Sequence, residues 1–176
     1  LFFGPGAHAA TLQADSAPDD SPAAPIAPAA PAPAPAPSVV SATAPQSVSL
    51  AVNGEAYTDA ELIARGETSE ETYIRFKREG LGSRITFRDC DDAVPDFCQT
   101  LTLVTGWDRE TPMSAQAVAR ANREFRYISV YLDDEGDPYT QWSVVTGREG
   151  IPAPVLLNTL ARYSDVVEDF WGVFFA

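Results

Sequence analysis

The chain has 176 residues, a formal net charge of −13 and a hydrophobic fraction of 45%. This length suits one domain with an appended segment, and the hydrophobic fraction excludes a wholly disordered chain. The negative charge argues against nucleic acid or anionic lipid as the main partner, because both require a positive surface. The one histidine, His8, lies near the first residue, so neither histidine catalysis nor a histidine-held metal or cofactor is expected in a folded domain.

The first nine residues (1–9) are interpreted as the remnant of a signal peptide. Ala7-His8-Ala9 has the small-x-small form of a signal-peptidase site, and Leu1-Phe2-Phe3 suits the end of an apolar region. The sequence therefore predicts cleavage after Ala9 and an exported protein, expected in the periplasm. No apolar run reaches the ~18 residues of a membrane span, so no span is expected in the mature chain.

Residues 10–47 are predicted to be a disordered linker rich in proline and alanine. Nine of the fifteen prolines lie between Ala17 and Pro45. Proline fixes φ and removes the amide donor, which favours extended polyproline II. A spacer is the favoured interpretation, because a ligand for a proline-recognition domain would carry a flanking arginine or aromatic residue. The folded domain is placed at 48–176.

Two cysteines, Cys90 and Cys98, flank an acidic loop of that domain. In an exported protein such a close pair indicates a disulfide across a loop, with Cα atoms ~4.4–6.8 Å apart. A zinc site would need two more soft ligands, and a catalytic thiolate would need a neighbouring base. The domain has no histidine and only Lys77, so the disulfide is predicted, conditional on export.

Alternation of apolar and polar residues predicts strands at 73–77 and 84–88. Gly80 and Gly82 lie between them and predict a hairpin with a loop of four to six residues. A third strand, 99–105, follows the cysteine loop, so the disulfide would join two neighbouring strands at their shared end.

Thr111-Pro112 predicts the start of a central helix that runs to Glu124. Strands at 128–132 and 139–145 follow it, separated by the acidic turn 133–138. Calcium is not favoured in this turn, because an EF-hand loop needs a glutamate where the chain has Trp142.

The last segment, 152–175, repeats apolar residues at intervals of three and four and predicts a long amphipathic helix. Trp171 and other residues widen its apolar face beyond one stripe. Most of that face is assigned to the core, and an added dimer or partner surface is the alternative.

Residues 58–66 allow two interpretations. Thr58 and Glu61 have the spacing of a capping box, which predicts a short helix through Arg65. The apolar run before Gly66 is equally consistent with a first strand, and the local pattern does not decide.

The order of these elements, the Cys90/Cys98 loop and the block 122–137 together resemble the bacterial YbjN family of sensory transduction regulators. The specific part is Asn-Arg-x-x-Arg at 122–126, followed by Leu-Asp-x-x-Gly-Asp at 132–137. The resemblance covers roughly residues 56–175. After the block, at 140–150, this sequence differs from the pattern of the family. The resemblance implies an α+β fold, similar to type III secretion chaperones and often dimeric, with no assigned catalytic residues. An antiparallel sheet of about five to six strands would be packed by the central and C-terminal helices, and 61–65 would be a strand.

The resemblance also singles out residues for which two roles are considered. Asn122 and its neighbours would form a recognition patch, or they would fasten the central helix to the next strand. In the second, favoured interpretation, Asn122 bonds backbone and Arg126 pairs with an acid such as Asp133, Asp134 or Asp137. The candidate interaction residues are Asn122, Arg123, Arg126, Asp133, Asp137 and Trp171.

Two functional hypotheses follow. The first is a non-enzymatic, exported regulatory module that binds a protein partner through its sheet or C-terminal helix, or a second copy of itself. The second is a hydrolase or metal-dependent enzyme that uses the acids of the 89–96 loop. The first is favoured because no nucleophile or phosphate-binding motif is present. The acids of the alternative are Asp89, Asp91, Asp92 and Asp96.

Overall fold

The computed structural model describes residues 36–53, 57–66, 69, 71–94 and 97–175. The predicted signal-peptide remnant, most of the predicted linker and Asp96 lie outside these residues. The elements, in chain order, are β1 (Val39–Val40), α1 (Pro45–Val52), β2 (Thr58–Ile63), β3 (Tyr73–Arg78), β4 (Leu81–Arg88), β5 (Thr100–Gly106), α2 (Ala115–Glu124), β6 (Ser129–Leu132), β7 (Pro138–Val145), β8 (Ile151–Pro152) and α3 (Ala153–Phe174).

Six of the strands form one antiparallel sheet in the order β2-β3-β4-β5-β7-β6. β1 and β8 form a separate two-stranded antiparallel ribbon. The predicted α+β architecture, with an antiparallel sheet and a long C-terminal helix, is confirmed. The long helix α3 buries its apolar stripe, because residues three and four apart share one face. Its buried residues are Ala153, Leu156, Leu160, Tyr163, Val166, Val167 and Phe170.

The β3–β4 hairpin has a shorter turn than the predicted loop of four to six residues. Arg78 pairs with Leu81, which leaves only Glu79 and Gly80 in the turn. Both have positive φ, 52° and 85°. Two central residues with positive φ make a primed turn, whose twist matches that of the flanking strands. Gly82, assigned to the loop by the sequence, is therefore part of β4.

The open question at 58–66 is decided in favour of a strand. β2 pairs with β3, with Leu62 opposite Ile74 and Ile63 opposite Tyr73. The capping-box helix is wrong, because pairing along β3 and burial of Ile63 outweigh the local N-cap signal.

The central helix begins later than predicted. Ser114 is the N-cap of α2, and its Oγ accepts a hydrogen bond from the Ala117 amide at 3.2 Å. Serine is a favoured N-cap residue, and the helix begins directly after Ser114. Pro112 therefore does not occupy the first helical position. Ala121 of this helix is fully buried.

The ordered fold also begins before residue 48, inside the segment predicted to be linker. Val40 and Ala42 have no exposed surface. Val40 pairs with Ile151 in the ribbon, and the Ala42 amide donates to Thr146 Oγ1 at 3.0 Å. The proline–alanine alternation stops at Pro37, and the β-branched pair Val39-Val40 that follows favours a strand.

Candidate functional site: the open face of the sheet

The pleat of the sheet separates a core face from an open face. Successive side chains of a strand alternate between the two faces, so Ile74 and Phe76 of β3 lie in the core while Arg75 points to the other side. Core residues of β4 and β5, such as Ile85 and Leu103, are fully buried. The three helices add buried residues to that core, whereas no described helix residue lines the cavities of the open face.

Four cationic side chains lie on this open face. Arg75 and Lys77 extend from β3, and Arg84 and Arg88 extend from β4. The cross-strand register places Arg84 opposite Arg75. A third of the chain's 12 lysines and arginines therefore occupy one face of a protein whose net charge is −13.

Three of these cations are paired with acids. Arg75 bonds Glu61 of β2, and Lys77 Nζ lies 3.2 Å from Asp59 Oδ2. The Arg88 guanidinium lies 2.9 Å from a carboxylate oxygen of Glu71. These pairs are exposed, so each contributes at most about 1 kcal/mol to stability.

Arg84, in contrast, forms no ion pair with any described residue. It is exposed, and it lines both of the cavities found on the open face. One cavity, of about 460 Å³, runs over β4, β5 and β7. The other, of about 860 Å³, runs over β2, β3 and β4 and reaches the end of β5 and the start of β7 beside Trp107. Arg84 is thus the one cation of this face whose charge is not neutralised by a described neighbour.

The floor of the smaller cavity consists of short hydroxyl side chains. Thr102 Oγ1 and Ser143 Oγ are 3.0 Å apart, and Thr86 Oγ1 donates to the Thr102 carbonyl at 3.3 Å. Because these side chains are short and the arginines and tyrosines around them are long, the face is concave. The hydroxyls are able both to donate and to accept hydrogen bonds.

A stacked tyrosine pair forms one wall. The rings of Tyr131 and Tyr139 lie 5.4 Å apart with planes 16° from parallel. Burial raises the pKa of Tyr131, and the positive charges of Arg84 and Arg88 oppose that rise in part. Tyr131 therefore stays a neutral phenol at physiological pH and presents an aromatic surface beside the guanidinium of Arg84.

The cysteine pair closes one end of this face. Arg88 pairs with Thr100, and the Asp91 amide donates to the Phe97 carbonyl at 3.0 Å, so the same register continues past the strands and sets Cys90 opposite Cys98. Their Sγ atoms are 2.08 Å apart, a disulfide distance. Their Cα atoms are 3.8 Å apart, so the predicted separation of 4.4–6.8 Å is wrong.

Two carboxylates at the start of the acidic loop are engaged by neighbouring backbone and hydroxyl groups. Asp89 accepts a hydrogen bond from the Thr100 hydroxyl, and Asp91 Oδ1 accepts one from the Ala93 amide at 2.8 Å. Among the described residues, no group of three acidic, cysteine or histidine side chains is arranged to hold a metal ion. Of the acids assigned to the enzyme alternative, Asp91 therefore caps the loop's own turn and Asp89 bonds the first residue of β5, while Asp96 lies outside the described residues.

Asn122 fastens α2 to the edge strand β6. Its Nδ2 donates to the Val130 carbonyl at 2.9 Å, and its Oδ1 accepts from the Val130 amide at 2.8 Å. In an antiparallel strand both backbone groups of one residue point to the same side, here away from β7. Asn122 therefore occupies backbone groups that an edge strand would otherwise expose.

The neighbouring arginines behave differently. Arg126 is exposed and, within the described part of the chain, forms no ion pair with Asp133, Asp134 or Asp137, so that expected pairing is wrong. The Asp133 carboxylate is instead engaged in its own turn, where its Oδ1 accepts a hydrogen bond from the Asp137 amide at 2.9 Å. Arg123 is also exposed.

Asp137 and Trp171 lie elsewhere. The buried Asp137 carboxylate accepts from the Arg109 amide at 2.9 Å and so anchors the segment after β5. Trp171 is 41% exposed and stacks on Trp107 with ring centroids 5.9 Å apart. The structure joins Asp137 with Asp133 in one turn, but no described hydrogen bond or ion pair links the other four candidate residues to them.

An antiparallel sheet with helices on one side and an open face on the other defines an α+β sheet-and-helix domain. Residues 51–175 match the model of the YbjN family, described as "Putative bacterial sensory transduction regulator", and the chain belongs to this family. No curated protein and no solved structure matches it significantly.

The open face is the feature that sequence reasoning did not identify. Alternation assigned Ile74 and Ile85 to the core, which leaves Arg75 and Arg84 on the opposite side. The signal was therefore available in the polar positions of the predicted hairpin, but only the strand order shows that β5, β7 and β6 extend the same face beside Arg84. In the described part of the chain, no helix has the length and apolar character needed to cross a membrane.

Proposed function

We propose that this YbjN-family protein is a non-enzymatic regulatory module that holds an acidic segment of a partner protein on the open face of its sheet. The observation that carries the proposal is Arg84, an exposed guanidinium without a described ionic partner, set between two cavities on a concave face. A guanidinium binds a carboxylate through two parallel hydrogen bonds, which supplies both energy and geometry.

The remaining features of the face are compatible with an extended peptide. The hydroxyls of Thr86, Thr102 and Ser143 match the hydrogen-bonding groups of a peptide backbone. The Tyr131–Tyr139 pair provides an apolar surface for a side chain next to the carboxylate. The repulsion from the net charge of −13 is screened over about 8 Å at physiological ionic strength, so the local cations dominate at contact distance.

The alternative, an enzyme using the 89–96 loop, is less well supported. Asp89 already accepts a hydrogen bond from Thr100 of β5 and Asp91 accepts one from the Ala93 amide, and the family is described as a regulator. Export to the periplasm is part of the proposal. It is supported by the cysteine pair at disulfide distance, since disulfides persist in oxidising compartments.

Binding of a fluorescein-labelled peptide of alternating glutamate and alanine, followed by fluorescence anisotropy, tests the proposal. We expect saturable binding that weakens roughly tenfold in Arg84→Gln, about 1.4 kcal/mol. The matched control is Arg123→Gln, an exposed arginine on α2 that belongs to the family block; it should bind like the parent chain.

Two results would contradict the proposal. If the peptide does not bind saturably, an acidic segment is not the ligand of this face. If Arg84→Gln and Arg123→Gln weaken binding equally, the binding is a nonspecific effect of charge. Sedimentation as a dimer that dissociates on Arg84→Gln would assign the face to a second copy of the chain instead.

A further inference from the structure

A separate cavity, of about 350 Å³, lies on the helix side of the sheet between α3 and the β3–β4 turn. Trp107 and Trp171 line it together with Glu79 and Glu168. Its volume is within the range of small-molecule pockets, ~300–1,000 Å³. It shares Ser83 and Trp107 with the larger cavity of the open face, but Arg84, which carries the proposed function, does not line it, so the two proposals are tested at different residues.

The lining is built by two regular elements. Ser164, Glu168 and Trp171 are spaced by four and three residues and therefore share one face of α3. The tight hairpin turn brings Glu79 and Gly80 to the same cavity. Both walls are thus set by backbone geometry rather than by long loops.

Trp107 is held in place from the β5 side. It follows Gly106, where an added Cβ would lie 2.2 Å from the ring of Tyr139, so glycine is required for the close approach. The Trp107 amide donates to the Pro138 carbonyl at 3.1 Å. Its ring stacks on Trp171, which gives the cavity a rigid aromatic wall.

The charges around the cavity are predominantly negative. Within the described residues, neither Glu79 nor Glu168 forms an ion pair. The third charged lining residue, Arg78, is already engaged: its guanidinium lies 3.6 Å from Asp165 Oδ1 and donates to the Ala161 carbonyl at 3.2 Å. An aromatic wall with two unpaired carboxylates attracts a cation and disfavours an anion.

We propose that this cavity is a binding site for a small alkylammonium ion. The methyl or methylene groups of such an ion would contact the indole rings of Trp107 and Trp171, and its positive charge would be compensated by Glu79 and Glu168. Indole is the strongest of the side-chain partners for cation–π contact, and quaternary ammonium ions are recognised in this way because they carry charge without a strong hydration shell.

Two-dimensional ¹H–¹⁵N NMR of the full chain, titrated with choline, provides the test. The chain has three tryptophans, and their indole N–H groups give three separate signals. We expect saturable shifts for Trp107 and Trp171. Trp142, which stacks on Tyr127 at 5.1 Å, should not shift and serves as an internal control.

The neutral isostere of choline, 3,3-dimethylbutan-1-ol, tests whether the charge matters; it should produce no saturable shift. Glu168→Gln should weaken choline binding roughly fivefold, whereas Glu149→Gln, an exposed glutamate before β8, should leave it unchanged. Equal responses to both ligands, shifts shared by all three indoles, or equal effects of the two variants would each overturn the proposal.

Discussion

The stability of the protein in alkaline solution should depend on one buried phenol. Tyr163 of α3 is 1% exposed, and its Oη donates to Thr105 Oγ1 at 3.0 Å. It also lies 3.0 Å from Thr140 Oγ1. Thr105 Oγ1 has a further partner in Ser83 Oγ at 2.7 Å, so the group forms a hydroxyl network under the long helix. Burial is the main cause that raises the pKa of Tyr163, from 10.0 to about 12.

The change Tyr163→Phe removes this hydroxyl and leaves the ring. Near pH 8 we expect a loss of about 1–2 kcal/mol in the free energy of unfolding, because Thr105 keeps Ser83 as a partner while Thr140 keeps only a 3.5 Å contact to the Thr105 carbonyl. The difference in unfolding free energy between the parent chain and Tyr163→Phe should then decrease as the pH rises.

The sign follows from proton linkage. Above pH 10 the unfolded tyrosine releases its proton while the folded one retains it, so unfolding is favoured as pH increases towards 12. The stabilisation that comes from the raised pKa of Tyr163 is fully present below pH 10, and about 1.4 kcal/mol of it is lost by pH 11. The two proteins should therefore be of nearly equal stability at pH 11.

Urea unfolding of both proteins between pH 8 and pH 11, followed by circular dichroism, measures the difference. The raised pKa values of Tyr57 and Tyr131 affect both proteins and cancel in the comparison. A stability difference that stays constant or widens between pH 8 and pH 11 would refute the assignment of Tyr163 as a buried, neutral phenol.

Three further predictions concern the edge strand, the N-terminal segment and the cysteines. Asn122→Ala should cost about 1–2 kcal/mol through its two bonds to Val130, and Arg126→Ala less than about 0.5 kcal/mol; equal melting temperatures for both variants would contradict this. A chain that starts at residue 36 should unfold like the parent, whereas one that starts at residue 48 loses the buried Val40 and should be destabilised by roughly 3 kcal/mol or more in the same urea assay. Mass spectrometry of protein purified without reductant should find Cys90 bonded to Cys98, and two free thiols would be the contrary result.

Several features of this fold were determined by local sequence alone. Residues 152–175 repeat apolar positions at helical spacing over about six turns, and such a pattern has few other ways to bury its apolar face. Strands β3 and β4 show clear alternation, and the short spacing of Cys90 and Cys98 limits their arrangement. These signals are contained within one element, so no information about the rest of the chain is needed to interpret them.

Other features required the tertiary structure, because they depend on which segments become neighbours. Residues 58–63 carry a helical N-cap signal but form a strand, since β3 offers an edge with which they pair. Val40 lies next to a proline-rich tract and is nevertheless buried, because β8 and α3 provide a surface that only the folded chain contains.

The candidate site shows the same distinction. Arg84 is recognisable in the sequence as a polar position of an amphipathic strand. Its lack of an ionic partner among the described residues, its two adjoining cavities and its nearness to Tyr131 all depend on the order β4-β5-β7-β6. A linear pattern specifies which face of a strand is polar, but the neighbours of that face are decided by strand pairing between distant parts of the chain.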